Sequence, residues 1–105
     1  MIFALSTDDR CLTAFPTTAD AIAYCEGVDV EDGVWLFFAS DGRCLKPRFT
    51  RPNSRGAFGV ASGHYVLESD RNGSHLHAQL ASVVSVNGCG LSSVDEVRKL
   101  LGGAQ

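Results

Sequence analysis

The sequence has no uninterrupted apolar run of membrane-spanning length. Its first apolar stretch, Ile2 to Leu5, is broken at once by Ser6-Thr7-Asp8-Asp9, so it has neither the length nor the flanks of a signal peptide or a spanning helix. The expectation is a cytoplasmic protein with no membrane partner. Paired cysteines are missing too. Cys11, Cys25, Cys44 and Cys89 lie far apart and none belongs to a CxxC motif, which removes the local geometry of a zinc ribbon or a thioredoxin-like centre. Two disulfides would need an oxidising compartment, so free and mostly buried thiols are expected. P-loop, nucleophile-elbow, HExxH and GxGxxG patterns are absent, and no motif calls for an enzyme, a metal or a cofactor.

Positive charge is scarce in the first part of the chain. Before residue 42 the acids are Asp8, Asp9, Asp20, Glu26, Asp29, Glu31, Asp32 and Asp41, and Arg10 is the only base. The pattern then inverts: Arg43, Lys46, Arg48, Arg51 and Arg55 follow with no acid among them. Such segregation predicts an electrically two-sided molecule unless folding interleaves the two segments.

What the sequence does contain is enough for one core. With 105 residues, 45% apolar and 20% charged, it is a single domain over 1–105 with a globular rather than a disordered composition. Residues 2–6 and 11–15 read as two strands around the polar turn Thr7 to Arg10. Thr17, three residues before Asp20, marks a helix start, and Gly27 a plausible C′ residue after it. An acidic connector, residues 27–33, leads to a strand from Val34.

Asp41-Gly42 has the signature of a two-residue type I′ hairpin. That register sets Phe38 opposite Leu45 and Phe37 opposite Lys46, so Val34, Leu36, Phe38, Leu45, Pro47 and Phe49 share a core face. Lys46 and Arg48 then lie with their stems across Trp35 and Phe37. Pro47 argues for a strand at or near an edge. Residues 50–63 read as a long loop with a short strand near Phe58 to Val60. Residues 64–69 form a strand, and Asn72-Gly73 suggests a second I′ hairpin into a strand over 74–86, with Glu68 opposite His77. A helix competes for that segment, since Leu76, Leu80, Val83 and Val84 also fit helical spacing. Ser93 to Glu96 is a capping box, and Val94, Val97, Leu100 and Leu101 give the next helix one apolar stripe. The expected fold is α+β: an antiparallel sheet built from hairpins, with two short helices packed on one face.

Candidate chemistry is thin. Cys89 between two glycines is the one thiol exposed enough to pair with a histidine in a small Cys/His enzyme. His75-x-His77 with Glu68 or Asp70 has the types of a metal site, although a solvated, charge-paired strand face is much the commoner use of them. Arg55 to Val60 has the outline of the RNA-recognition octapeptide, but Ala57 and Gly59 stand where aromatics should stack bases. Nucleic-acid binding through residues 43–55 is thus the weaker use of the basic segment, and no nucleic acid is expected.

The stretches "CEGVDVEDGVWLFFASDGRCLKPRF" and "GCGLSSVDEVRKLL" give most of the chain a layout that resembles small bacterial immunity proteins of contact-dependent growth inhibition systems. The resemblance implies a non-enzymatic cytoplasmic protein whose partner is the C-terminal domain of a cognate toxin, often a nuclease. An acidic face from Glu26, Asp29, Glu31, Asp32 and Asp41 would compete for the basic surface such a domain needs.

Overall fold

The computed structural model describes residues 1–56 and 59–102. Its elements are β1 (Ile2–Ser6), β2 (Cys11–Phe15), α1 (Thr18–Tyr24), α2 (Gly27–Glu31), β3 (Trp35–Ala39), β4 (Cys44–Arg51), β5 (Ser54–Gly56), β6 (Gly59–Ala61), β7 (His64–Ser69), a 3₁₀ helix (Leu76–Ser82), β8 (Ser85–Asn87) and α3 (Val94–Leu100). Six strands form one sheet in the order β7-β4-β3-β1-β2-β8, and β5 and β6 make a separate two-stranded hairpin. The sheet is antiparallel except where β8 joins β2 in parallel. The α+β architecture expected from the sequence is the one observed.

β1 is buried along its whole length because it lies between β2 and β3 and is covered on both faces. Phe3 and Leu5 belong to one core with Leu12, Ala14, Phe38, Leu76, Leu80, Val86 and Val97. Ala4 belongs to the other with Cys25, Val30, Phe37 and Tyr65. The alternation of a strand, one side chain to each face, therefore feeds two cores. The helices divide accordingly: α1 and α2 cover the Ala4 face, and the 3₁₀ helix and α3 cover the Phe3 face. Gathering the helices on one face would have left Phe3, Leu5 and Phe38, or else Ala4 and Phe37, open to water.

Both helix starts read from the sequence are formed by side-chain caps. Thr17 Oγ1 accepts the amide of Asp20 at 3.1 Å, and Ser93 Oγ accepts that of Glu96 at 3.2 Å. Glu96 reaches back to the amide of Ser92 at 2.7 Å, and these bonds from Ser92 hold its carboxyl below the usual range. Leu100, assigned to the apolar stripe of α3, is instead exposed, and Leu91 and Leu101 pack there.

Three local expectations are corrected. The first helix ends at Tyr24, and Gly27 opens α2, so the acidic connector is itself a helical turn. The Asp41-Gly42 turn is one residue longer than a two-residue hairpin. Ala39 donates to Arg43 O, Gly42 donates to Ala39 O, and only Gly42 takes positive φ, at 91°. Phe37 therefore faces Leu45 and Phe38 faces Cys44, and the slip moves every β4 side chain to the other face. Leu45 and Phe49 join Phe37 and Trp35 in one core, while Cys44 joins Leu36 and Phe38 in the other. Beyond Leu45, β4 keeps β7 as its registered neighbour, with Pro47 opposite Leu67, in line with a near-edge place for proline.

The third correction is the segment 74–86. Glu68 pairs in register with Lys46, not His77, and residues 76–82 are 3₁₀-helical. Leu76 and Leu80, four apart, are both buried, so helical spacing prevails over strand alternation. His75 fixes the start of this helix. Its Nδ1 accepts the amide of His77 at 3.1 Å and its Nε2 meets Asp41 O at 3.0 Å, an arrangement that places the ring hydrogen on Nε2. Leu76 N also donates to Gly42 O at 2.8 Å. At the other end of the helix the Arg10 guanidinium donates to Gln79 Oε1 at 2.9 Å and to Ser82 Oγ. The segment 50–63 is not a loop alone: β4 runs into it and β5 and β6 occupy it. Gly59 and Val60 of the short strand read there lie in β6, and Phe58, like the octapeptide's Ala57, lies outside the described residues.

Candidate functional site

One end of the sheet gathers charge that the sequence disperses. Because β1 and β3 are antiparallel, with Ser6 opposite Trp35, the turn after β1 lies beside the turn before β3. Thr7 ties them, its amide to Val34 O and its hydroxyl to Gly33 O, each at 2.8 Å. Asp8 and Asp9 thereby reach the same surface as Asp29 of α2. With Tyr24, Trp35, Thr13 and Asn87 they line an open cleft of about 390 Å³.

Two of the cleft's lining residues, Tyr24 and Trp35, are aromatic and in contact. Ring centroids are 5.5 Å apart for Phe15 and Tyr24, and 5.9 Å for Tyr24 and Trp35, the latter edge to face. Tyr24 is 64% exposed. Among the described residues none of Asp8, Asp9 and Asp29 has an ion-pair partner. Unpaired carboxylates beside the exposed Tyr24 ring and the half-buried Trp35 ring suit a cationic group, which gains from charge and from the ring faces together.

The expected site residues are only partly brought together. Asp29 lines the cleft and Glu26 is exposed just before α2. Glu31 and Asp32 are exposed but already engaged: Arg55 Nη2 lies 3.4 Å from Glu31 Oε1 and 2.9 Å from Asp32 Oδ1. Asp41 is at the far end of β3, a strand's length away or roughly 17 Å, and pairs with Arg43 at 2.7 Å. The Arg43 amide, and after it the Arg43 charge, hold the Asp41 carboxyl below its usual range. The acidic face expected from charge patterning leaves out Asp8, Asp9, Tyr24 and Trp35. Their signal, an Asp-Asp turn, points to a site only once β1 is known to pair with β3.

The basic segment is largely interleaved with acid. Arg43 meets Asp41, Arg48 meets Glu68 at 2.7 Å, and Arg55 meets Glu31 and Asp32. Only Lys46 and Arg51 of the five lack an ion pair among the described residues, so no continuous free stripe faces a phosphate backbone. A second cleft, of about 420 Å³ near Arg43, Asp70, Arg71 and His75, has mixed charge.

All four thiols are free. Burial, then the Asp29 charge, pushes Cys25 up to about 12, and burial with Asp70 raises Cys44, so neither is poised as a thiolate. Cys89 is exposed in a turn at φ 52° and its thiol points to Ala14 O at 3.6 Å. Among the described residues no three His, Cys, Asp or Glu side chains form a metal-sized group, and no helix is long and apolar enough to cross a membrane. Compared with known proteins, the chain matches no family model, no curated protein and no solved structure.

Proposed function

We propose that this chain is an immunity-type binding protein that neutralises the C-terminal domain of a cognate bacterial toxin, in the cytoplasm and by contact rather than catalysis. The observation that carries the reading is the cleft in which Asp8, Asp9 and Asp29 stand unpaired beside Tyr24 and Trp35. Aromatic side chains anchor protein interfaces and carboxylates speed encounter with a basic partner. A toxin nuclease carries such a basic surface because it must hold phosphates. The resemblance in chain layout to contact-dependent growth inhibition immunity proteins supplies the partner class.

The test begins with the neighbouring gene: if it encodes a large toxin, its C-terminal domain is the probe, and absence of such a gene would count against the reading. The wild-type chain should bind that domain and block its activity. Asp8→Asn, Asp9→Asn and Asp29→Asn together should slow association and flatten its salt dependence, while Arg51→Ala leaves both nearly unchanged. Full protection by the triple variant at unchanged rate would assign the interface elsewhere. Failure of the wild type to bind the toxin domain would remove the function.

A further inference from the structure

The two margins of the six-stranded sheet differ. β8, at one end, has three residues, whereas β7, at the other, has six and pairs with β4 alone. Asp70, just past β7, donates its amide to Cys44 O at 2.9 Å, so its backbone polar groups turn towards β4. The register from Leu45 and Ser69 to Phe49 and Tyr65 is unbroken. Alternation along an antiparallel ladder then fixes the rest: Glu68 and Val66 turn inwards, and Tyr65, Leu67 and Ser69 turn outwards. Pro47, which has no amide to offer, stands opposite Leu67, where no bond is exchanged. Among the described residues no other element takes up the outward amides and carbonyls of Tyr65 and Leu67. The strand carries neither proline nor lysine, the usual guards of an open edge.

An open edge recruits another strand, and the sequence of β7 selects which. Two copies can pair antiparallel about a two-fold axis only where outward residues meet outward residues, which puts Tyr65, Val66, Leu67 or Glu68 on the axis. Tyr65 there leaves Glu68 beyond the paired strand, and Glu68 there sets two carboxylates face to face. Leu67 on the axis pairs His64 with Asp70 but sets Val66 against the Glu68 carboxylate. With Val66 on the axis every side chain meets one that suits it. Val66 meets Val66 in a pair whose side chains approach closest, and Tyr65 meets Leu67, exchanging both main-chain hydrogen bonds with it. His64 meets Glu68. Arg48 holds Glu68 Oε1 at 2.7 Å, leaving Oε2 for an imidazole N–H, which donates whether the ring is neutral or charged. Val66 is 37% exposed and His64 is exposed as well, so both are on hand at the surface.

We propose that β7 is a self-association edge: two copies of this chain pair through it, antiparallel, with Val66 on the two-fold axis, and join their sheets into one. The occupant is a second copy because the complementarity is that of β7 with itself. An open groove of about 500 Å³, lined by Ala19, Ile22 and Ala23 of α1 together with His64 and Tyr65, reaches the His64 end of the same edge and extends the surface available for burial. The acidic cleft of Asp8, Asp9 and Asp29 draws no residue from β4 or β7, so the inference is independent of the proposed function.

The experiment follows the mass of the full chain by sedimentation velocity as concentration is raised from low to high micromolar. One strand pair with part of a groove is a small interface, so the dimer should form reversibly and grow with concentration. Amide hydrogen exchange at Tyr65 and Leu67 should slow over the same range, because these amides gain partners only in the dimer. Val66→Lys sets two ammonium groups against each other on the axis and should leave a monomer at every concentration. Val84→Lys, at a valine 78% exposed beside the opposite margin, should leave the dimer intact. His64→Glu sets like charges opposite each other twice over and should raise the dimer dissociation constant about two- to thirty-fold, whereas His64→Lys should lower it. Each variant changes an exposed side chain, and an unchanged far-ultraviolet spectrum and melting temperature will show that the fold is kept. A monomer at all concentrations would overturn the proposal. So would a dimer that survives Val66→Lys, one that His64→Glu and His64→Lys shift alike, or one that leaves exchange at Tyr65 and Leu67 unslowed.

Discussion

Replacing Gly42 with alanine tests whether the β3–β4 turn and the 3₁₀ helix are clasped as described. Gly42 stands at φ 91°, and a β-carbon there would fall 2.2 Å from Cε1 and 2.6 Å from Nε2 of His75. Two costs combine. The left-handed backbone alone disfavours a side chain by about 1–2 kcal/mol. Displacing His75 also loosens its bond to Asp41 O and the neighbouring bond from Leu76 N to Gly42 O, at about 0.5–1.5 kcal/mol each. Together these give a loss of about 2–5 kcal/mol, or at least about 8 °C in melting temperature for a chain of this size. Gly33 separates the two costs, since it has φ 80° with nothing within 4 Å of its would-be β-carbon. Gly33→Ala should therefore show the backbone cost only. Thermal and urea unfolding of both variants, and of Gly42→Ala combined with His75→Ala, complete the cycle. The double variant should cost less than the sum of the singles, because the clash is gone once the ring is removed. Equal losses for Gly42→Ala and Gly33→Ala, with additive behaviour in the cycle, would refute the clasp.

Phe38→Ala should lower stability by about 3–5 kcal/mol, because Phe38 is 1% exposed and packs opposite Phe3; an unchanged urea midpoint would show that it is not buried. Alkaline stability should depend on Cys25. Its folded pKa, about 12, lies above the ordinary 9.0, so the unfolded chain releases this proton first, and the stability present below about pH 9 is lost as pH rises towards 12. Burial shifts Tyr65 in the same direction. Cys25→Ala should flatten the decline between pH 9 and 12 in chemical unfolding; a slope identical to wild type would show that the thiol is not held protonated.

Local signals in the sequence were sufficient where one residue decides the outcome within a turn or two. Thr17 and Ser93 cap helices with the partners their spacing implies, and the strands on either side of Asp8-Asp9 form as read. Asp41-Gly42 was recognisable as a turn but not as a three-residue one, because aspartate accommodates either geometry and only Gly42 needs positive φ. That one-residue difference exchanged the two faces of β4. Over 74–86 the Asn72-Gly73 signal competed with the Leu76 and Leu80 spacing, and burial against β1 and β2 decided for the helix. The candidate site was least legible. Asp29 was found from charge alone, but Asp8 and Asp9 join it through pairing between β1 and β3. Arg55 neutralises Glu31 and Asp32 across more than 20 residues, a contact that charge patterning cannot anticipate.

The parallel join of β8 to β2 has a consequence for synthesis. Asn87 meets Cys11 across a separation of 76 residues, so the edge of β2 stays unpaired until nearly the whole chain has been made. At about 5–20 residues per second, the interval between finishing β2 and supplying β8 is on the order of 4–14 s. Throughout it Leu12 and Ala14 also lack the cover of Leu80 and Val97, their companions in the finished core. A ribosome stalled in that interval carries a strand edge open to any passing chain. Nascent-chain aggregation should accordingly be set by how fast the stretch of message between β2 and β8 is translated, even with the stability of the finished fold unchanged.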